Sequence, residues 1–463
     1  MVRFAALIAV YLVIVYGIPR PEAVKPEGWR LLGIFLATVT GLIIQPIPGG
    51  ALVLLAITLA AIMGGLGIGQ ALTGYADTSV WLVVAAFMIA RALINTGLAR
   101  RIALMFVRWF GKSTLGVSYS LALSDVVLAS IIPSNGARSG GVVLPILRSI
   151  CELYGSKPGP TSALLGTFLF LTVYQSICIS AAMFFTGQAS NPLAAGIATQ
   201  MGYPITWTSW FVAGIVPGIC SLIVCPLIIY RLSPPQIRHT PEAAKFARDE
   251  LAAMGPLSKA EGILAIVFAG VCAGWVTSGI HKVDITVTAL LGTCILLVSG
   301  VLTWEDVKRE TALWDLFIWY GGLIRLGRAL NEAGVTREFA NAVGAAFSDA
   351  GWVTLFVCAL LIYFYAHYAF ASITAHILAM YPPFFAVLIA KDAPIGLVAF
   401  AFATFVNFSA GLTHYGTTPS PMFYAMEYVK FKEWWRTGFV ISLVNLSIWS
   451  TVGFFWWKMV GIW

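Results

Sequence analysis

The sequence predicts an all-α polytopic membrane protein, an inverted repeat with about eleven transmembrane helices and two re-entrant hairpins. Three observations carry this expectation. Of 463 residues, 59% are hydrophobic and only 10% are charged, a balance that no soluble globular class shows. Apolar windows of roughly 20 residues, long enough to cross a bilayer, recur along the chain. A broken apolar segment also appears twice, at corresponding positions of two halves.

Taken in order, the predicted spans cover about 4–18, 30–46, 51–66 and 80–97. The first is apolar after Arg3, as in a signal peptide, but no small-x-small cleavage site follows, so it reads as a membrane helix. Residues 99–113 carry Arg100, Arg101, Arg108 and Lys112 without an acid and read as an interfacial helix. Hairpin one covers about 117–146. A fifth span starts near Ser162 and is broken at 186–192, and the sixth covers 207–231. Residues 232–260 are the only long polar stretch and read as a cytoplasmic linker between the halves 1–231 and 261–463. Spans over 260–279, 284–302 and 313–331 follow, then hairpin two at 353–386. The tenth span starts near Pro394 and is broken at 413–419, and the eleventh covers 437–457. The tryptophan-rich end reads as an aromatic belt at the membrane interface.

The centre of hairpin one is Ile131-Ile132-Pro133-Ser134-Asn135-Gly136-Ala137-Arg138. Pro133 and Gly136 interrupt helix there, between apolar arms. Such a tip leaves N–H groups and hydroxyls unpaired at membrane depth, where they persist only in a cavity or against a ligand. Ala371-Ser372-Ile373-Thr374-Ala375-His376 repeats it at an offset of 238, which pairs Ser134 with Ser372 and Arg138 with His376. Upstream, 92–100 parallels 329–337 at an offset of 237. Two broken segments at one spacing point to the binding site of a secondary transporter.

Charge sets the orientation. With the N-terminus inside and the C-terminus outside, 17 Lys/Arg face the cytoplasm and 9 face out, as the positive-inside rule asks. The arm 99–113 sums to +4 and its counterpart 336–351 to −1, so the repeat is expected to be inverted, with the hairpins entering from opposite faces.

The candidate substrate-binding residues are Ser134, Asn135, Gly136 and Arg138 of the first tip. Ser372, Thr374 and His376 are their counterparts in the second. The two breaks add Thr186, Gly187, Asn191, Thr417, Thr418 and Pro419. Hydroxyls and helix N-termini favour carboxylates. Arg138 and His376 are expected to frame a doubly charged anion, the arginine bidentately. Asp125 lies in a hairpin arm, where spacing assigns it no role. The seven cysteines form no C-x-x-C, and the five histidines show no metal-ligand spacing. Neither a metal nor another cofactor is expected. The +8 net charge comes without a basic run, so no nucleic-acid partner is expected. A membrane enzyme would want clustered acids or histidines at one interface, and hairpins that close the path from both sides argue against a channel.

At these residues the sequence resembles the divalent anion:sodium symporter family, over nearly the whole chain. It is most similar to the exchanger branch, which holds bacterial citrate/succinate and tartrate/succinate antiporters and plastid 2-oxoglutarate/malate translocators. The resemblance rests on 133–138, 371–376, Leu412-Thr413-His414-Tyr415-Gly416-Thr417 and Lys432-Glu433-Trp434-Trp435-Arg436. It implies a homodimer in the bacterial inner membrane that carries di- and tricarboxylates by an elevator-like movement of the hairpins. Gly136 stands where the family usually has Thr, and is expected to enlarge the pocket. Ile373 stands where sodium-coupled members have Asn. The expected function is sodium-independent exchange of small dianions such as malate, succinate, 2-oxoglutarate or tartrate, with citrate admitted if the space at Gly136 is used. In this reading Arg138 and His376 replace bound sodium, and their uncompensated charge hinders the empty carrier. A sodium- or proton-coupled symporter on the same fold is the alternative.

Overall fold

The computed structural model describes residues 2–339 and 351–463, and these are helical with no strand among them. Eight described helices are long and apolar enough to cross a membrane, and five shorter apolar helices join them.

The first helices are α1 (Val2–Leu12), α2 (Pro26–Ile44), α3 (Gly49–Met63) and α4 (Thr78–Thr96). Asp77 caps α4 by accepting from the Ser79 N–H at 2.9 Å, and Gly97 ends it in the left-handed conformation at φ 81°. The basic arm is α5 (Leu98–Phe110). Hairpin one descends as α6 (Thr114–Ala129), breaks at 130–134, and returns through α7 (Asn135–Arg138), a π-turn (Ser139–Val143) and α8 (Leu144–Leu153). Next come α9 (Gly166–Met183), a break, α10 (Ser190–Gln200) and α11 (Trp207–Leu232).

The second half holds α12 (Pro241–Ala253), α13 (Lys259–Val276), α14 (Ile285–Val298) and α15 (Thr311–Glu332). Hairpin two is α16 (Trp352–Ala366), a break at 367–372 and α17 (Ile373–Ile389). The chain closes with α18 (Ile395–Ser409), a break, α19 (Pro419–Tyr424), α20 (Phe431–Ile448), a π-turn and α21 (Phe454–Met459). The order helix–break–helix, then long helix–break–short helix, thus occurs twice. Residues 340–350, most of the predicted second arm, lie outside the described residues.

The core sits on the two central helices. Within their apolar windows α9 is wholly buried and α18 almost so. They hold each other's breaks. From α9, the Tyr174 hydroxyl donates to the Ala410 carbonyl at 2.7 Å and the Gln175 amide to the Gly411 carbonyl at 2.9 Å. In the bilayer a broken helix needs such partners, because no water replaces its lost bonds.

Three expectations change. α15 spans 22 residues but carries Asp315, Arg325, Arg328 and Glu332. Each meets a partner: Asp315 accepts from the Gly50 N–H, Arg325 pairs with Glu332, and Arg328 with Asp77. The basic arm is not a free interfacial helix. Arg100 bonds Glu250, and Arg101 forks onto Glu261 at 2.6 and 3.2 Å. The linker therefore includes a helix, α12, strapped against α5. The terminal tryptophans do not all form a belt either. Trp434, Trp449 and Trp457 are buried, and the Trp457 indole donates to the Ala213 carbonyl at 2.8 Å.

The Arg101–Glu261 fork yields a prediction. Glu261→Ala leaves a buried guanidinium unpaired and is expected to cost about 3 kcal/mol. Arg101→Met combined with Glu261→Leu is expected to recover most of that loss, as read from thermal unfolding in detergent.

Candidate functional site

Both hairpin tips open onto one cavity of about 510 Å³. Pro133, Ser134 and Asn135 line it from the first tip, and 371–374 from the second. The breaks contribute Gln188, Ala189 and Ser190 on one side and Tyr415, Thr417 and Thr418 on the other. Gln45, Phe87, Ala312, Leu316 and Trp319 complete the wall from α2, α4 and α15.

The two tips share one construction. Ser134 is the N-cap of α7, accepting from the Ala137 N–H at 3.1 Å. Ser372 caps α17, accepting from the Ala375 N–H at 3.4 Å. A hydroxyl that accepts from its own helix keeps its proton for another acceptor. Each tip therefore presents an O–H donor at a helix N-terminus, where partial positive charge favours an anion. Asn135 ties the breaks together. Its amide donates to Thr417 Oγ1 at 3.0 Å and to Gln188 Oε1 at 3.4 Å. Gln188 in turn donates to Asn407 Oδ1.

Other sequence candidates lie behind this wall. Arg138 is fully buried and does not line the cavity. Its Nε donates to Asp125 at 2.9 Å, and one Nη donates to the carbonyls of Ile132 and Gly187 at 2.7 and 2.6 Å. Asp125 also accepts from Ser180. The expectation that Arg138 holds the anion directly is therefore corrected. Its fork is satisfied by a carboxylate and two carbonyls, and its charge is compensated. Asp125, to which spacing assigned no role, is its counter-ion. The signal was present, since a lone acid in an apolar arm asks for a buried cation.

His376 is likewise buried off the cavity, with its Nδ1 2.8 Å from Nδ1 of His367. Gly136 does not widen the pocket as expected. A Cβ there would meet Thr418 Cγ2 at 2.7 Å, so the threonine fills the space. Thr186 donates to the Ser130 carbonyl at 2.5 Å, and Asn191 to the Ala181 and Phe184 carbonyls at 2.7 and 2.9 Å. The Gly187 carbonyl takes Arg138, and Pro419 opens α19. These four hold the breaks in shape and do not line the cavity. Sequence reasoning missed Gln188 and Ser190 within the first break. It also missed the wall from α2, α4 and α15, whose residues sit in ordinary apolar runs and carry no local signal.

Paired polar tips inside a bundle of apolar helices define a multi-pass α-helical membrane transporter. The chain belongs to the divalent anion:Na+ symporter family: the family described as "Sodium:sulfate symporter transmembrane region" matches residues 1–463. It is 44% identical over 452 residues to the "Putative malate transporter YflS" of Bacillus subtilis (strain 168), covering 97% of this chain and 95% of that one. It is 42% identical over 455 residues to the chloroplastic "Dicarboxylate transporter 1" of Spinacia oleracea, covering 97% and 80%. Among solved structures, the YdaH transporter of Alcanivorax borkumensis superposes with a TM-score of 0.54 at 13% identity, over 95% of this chain and 99% of that one. That likeness concerns the fold.

Two predictions follow from the tips. Gly136→Ala is expected to push Thr418 aside and cost about 1–2 kcal/mol by overpacking, with weaker substrate binding. Adding Thr418→Ser removes the clashing methyl and is expected to restore both, measured by thermal unfolding and by calorimetric titration. Asp125→Ala strands the Arg138 guanidinium and is expected to cost about 3–5 kcal/mol, against about 1 kcal/mol for loss of the Ser134 cap in Ser134→Ala, compared in the same unfolding assay.

Proposed function

We propose that the protein exchanges small dicarboxylates across a bacterial inner membrane without sodium. The single observation that carries this reading is the pair of serine-capped helix N-termini facing one cavity. Two O–H donors and two sets of N-terminal N–H groups, opposed across a small space, suit an anion with a carboxylate at each end. The names of the relatives support the same substrate class: one is called a malate transporter and another a dicarboxylate transporter. The full set of substrate-contacting residues in this reading is Ser134, Asn135, Gln188, Ser372, Thr374, Thr417 and Thr418, with Arg138, Thr186, Gly187 and Asn191 holding the tips in place behind them. Since Thr418 fills the space at Gly136, a four-carbon dianion suits the cavity better than citrate.

Sodium independence rests on Arg138. Its guanidinium, neutralised by Asp125, occupies the carbonyls of both breaks in the first half, so they are not free to ligate a sodium ion. In the second tip Ile373 offers no polar group. Exchange rests on the empty tips, whose O–H and N–H donors would have no acceptor while crossing a low-dielectric barrier. A bound dianion satisfies them, so the loaded carrier moves more easily. The hairpins and the two broken spans would travel together as an elevator against α2, α4 and α15, in a homodimer with the N-terminus inside and the C-terminus outside.

Uptake of labelled succinate into proteoliposomes tests the reading. Vesicles preloaded with unlabelled succinate or malate are expected to take up label, and empty vesicles to take up at least 10-fold less, with no effect of a sodium gradient. Sodium-dependent uptake into empty vesicles would overturn it.

A further inference from the structure

The second half holds a buried pair of histidines that the substrate contacts above do not use. His367 Nε2 lies 2.9 Å from the Gly416 carbonyl. A carbonyl only accepts, so this nitrogen carries a proton. A neutral imidazole has one N–H, which makes His367 Nδ1 a lone pair. The hydrogen bond of 2.8 Å between the two Nδ1 atoms is then donated by His376. His376 Nε2 is left bare, and it is buried with no hydrogen-bond partner. Four ring nitrogens thus hold two protons and have a place for a third. With it, His367 Nε2 still donates to the Gly416 carbonyl, one proton is shared between the inner pair, His376 Nε2 carries the other, and the pair carries +1.

What the pair lacks is a counter-charge. The Phe370 ring stacks on His376 at 4.7 Å, and the Tyr363 ring sits at 4.4 Å with its hydroxyl unpartnered. Tyr381, further along α17, spends its hydroxyl on the Ala399 carbonyl. Tyr415, next to Gly416, donates to the Tyr368 carbonyl. The facing helix α18 has no titratable side chain. The hydrogen bonds and ring contacts of the two imidazoles are made with each other, the Gly416 carbonyl, Tyr363 and Phe370. The offset that pairs Arg138 with His376 also pairs Asp125 with Tyr363. The first half therefore has a cation with a permanent counter-ion, and the second has the matching imidazole with the carboxylate absent. Ser372 and Thr374, four and two residues before His376, line the cavity.

We propose that the His367–His376 pair is a one-proton site, loaded when a dianion occupies the tips and supplies the missing negative charge. This rests on the dicarboxylate reading above. It makes the transported species a dianion plus one proton in each direction.

Only five histidines are present, so protein labelled with 15N-histidine resolves the pair. In the free carrier at about pH 8, both rings are expected to be neutral, joined by a hydrogen bond between Nδ1 atoms. Saturating succinate at about pH 7 is expected to add the third N–H. Calorimetry in two buffers of different ionisation enthalpy is expected to report one proton taken up per succinate. Both rings staying neutral with succinate bound, together with zero proton uptake, would overturn the proposal. If neither succinate nor malate binds, the dicarboxylate reading fails by itself, and the same two measurements with sulfate, another dianion, decide the proton site. Neutral rings and zero proton uptake with sulfate bound would then reject it, and a third N–H taken up on sulfate binding would uphold it. His367→Gln keeps a donor for Gly416 and is expected to bring proton uptake to zero. A full proton taken up by that variant would also overturn the pairing.

Discussion

The ion pair between Arg138 and Asp125 is the contact on which the rest of the centre depends. Both side chains are buried, and an unpaired charge at that depth would be prohibitive. The guanidinium spends its remaining donors on the Ile132 carbonyl of hairpin one and the Gly187 carbonyl of the broken fifth span. Those carbonyls are ones that the helix breaks set free. One cation therefore closes the hydrogen bonding of two interrupted helices and fixes their relative position. Asp125 and Ser180 extend the hold into α6 and α9. With the first tip pinned, the Ser134 N-cap and Asn135 face the cavity in a fixed arrangement.

The second half reaches a similar geometry by different means. Its break is held by His367 on the Gly416 carbonyl and by Tyr174 on the Ala410 carbonyl. The two halves are alike in backbone and unlike in charge.

Amides join the halves. Asn135, Gln188, Asn191, Asn407 and Thr417 form one connected set of hydrogen bonds across both breaks and hairpin one. In a low-dielectric interior each of these groups is costly if left alone. The set therefore ties Thr417 of the second break to the first tip, and the cavity wall they share acts as a unit.

The sequence by itself determined the membrane class, the approximate number and order of the apolar helices, and both hairpin tips. The reason is local: helix length, apolar content, and Pro and Gly within an apolar run act within a few residues of themselves. The serine caps are short-range devices too, with Ser directly before each helix start, although the sequence pattern read them only as binding hydroxyls. Only the tertiary structure decided which polar residues face the cavity and which stand behind it. Arg138 and His376 look alike in the repeat, but neither reaches the space, because each finds nearer partners. Gly136 reads as added room until Thr418, 282 positions away, is seen to fill it. Phe87, Leu316 and Trp319 enter the wall without any signal in their own segments, since a side chain's exposure to a cavity is set by the helices opposite it.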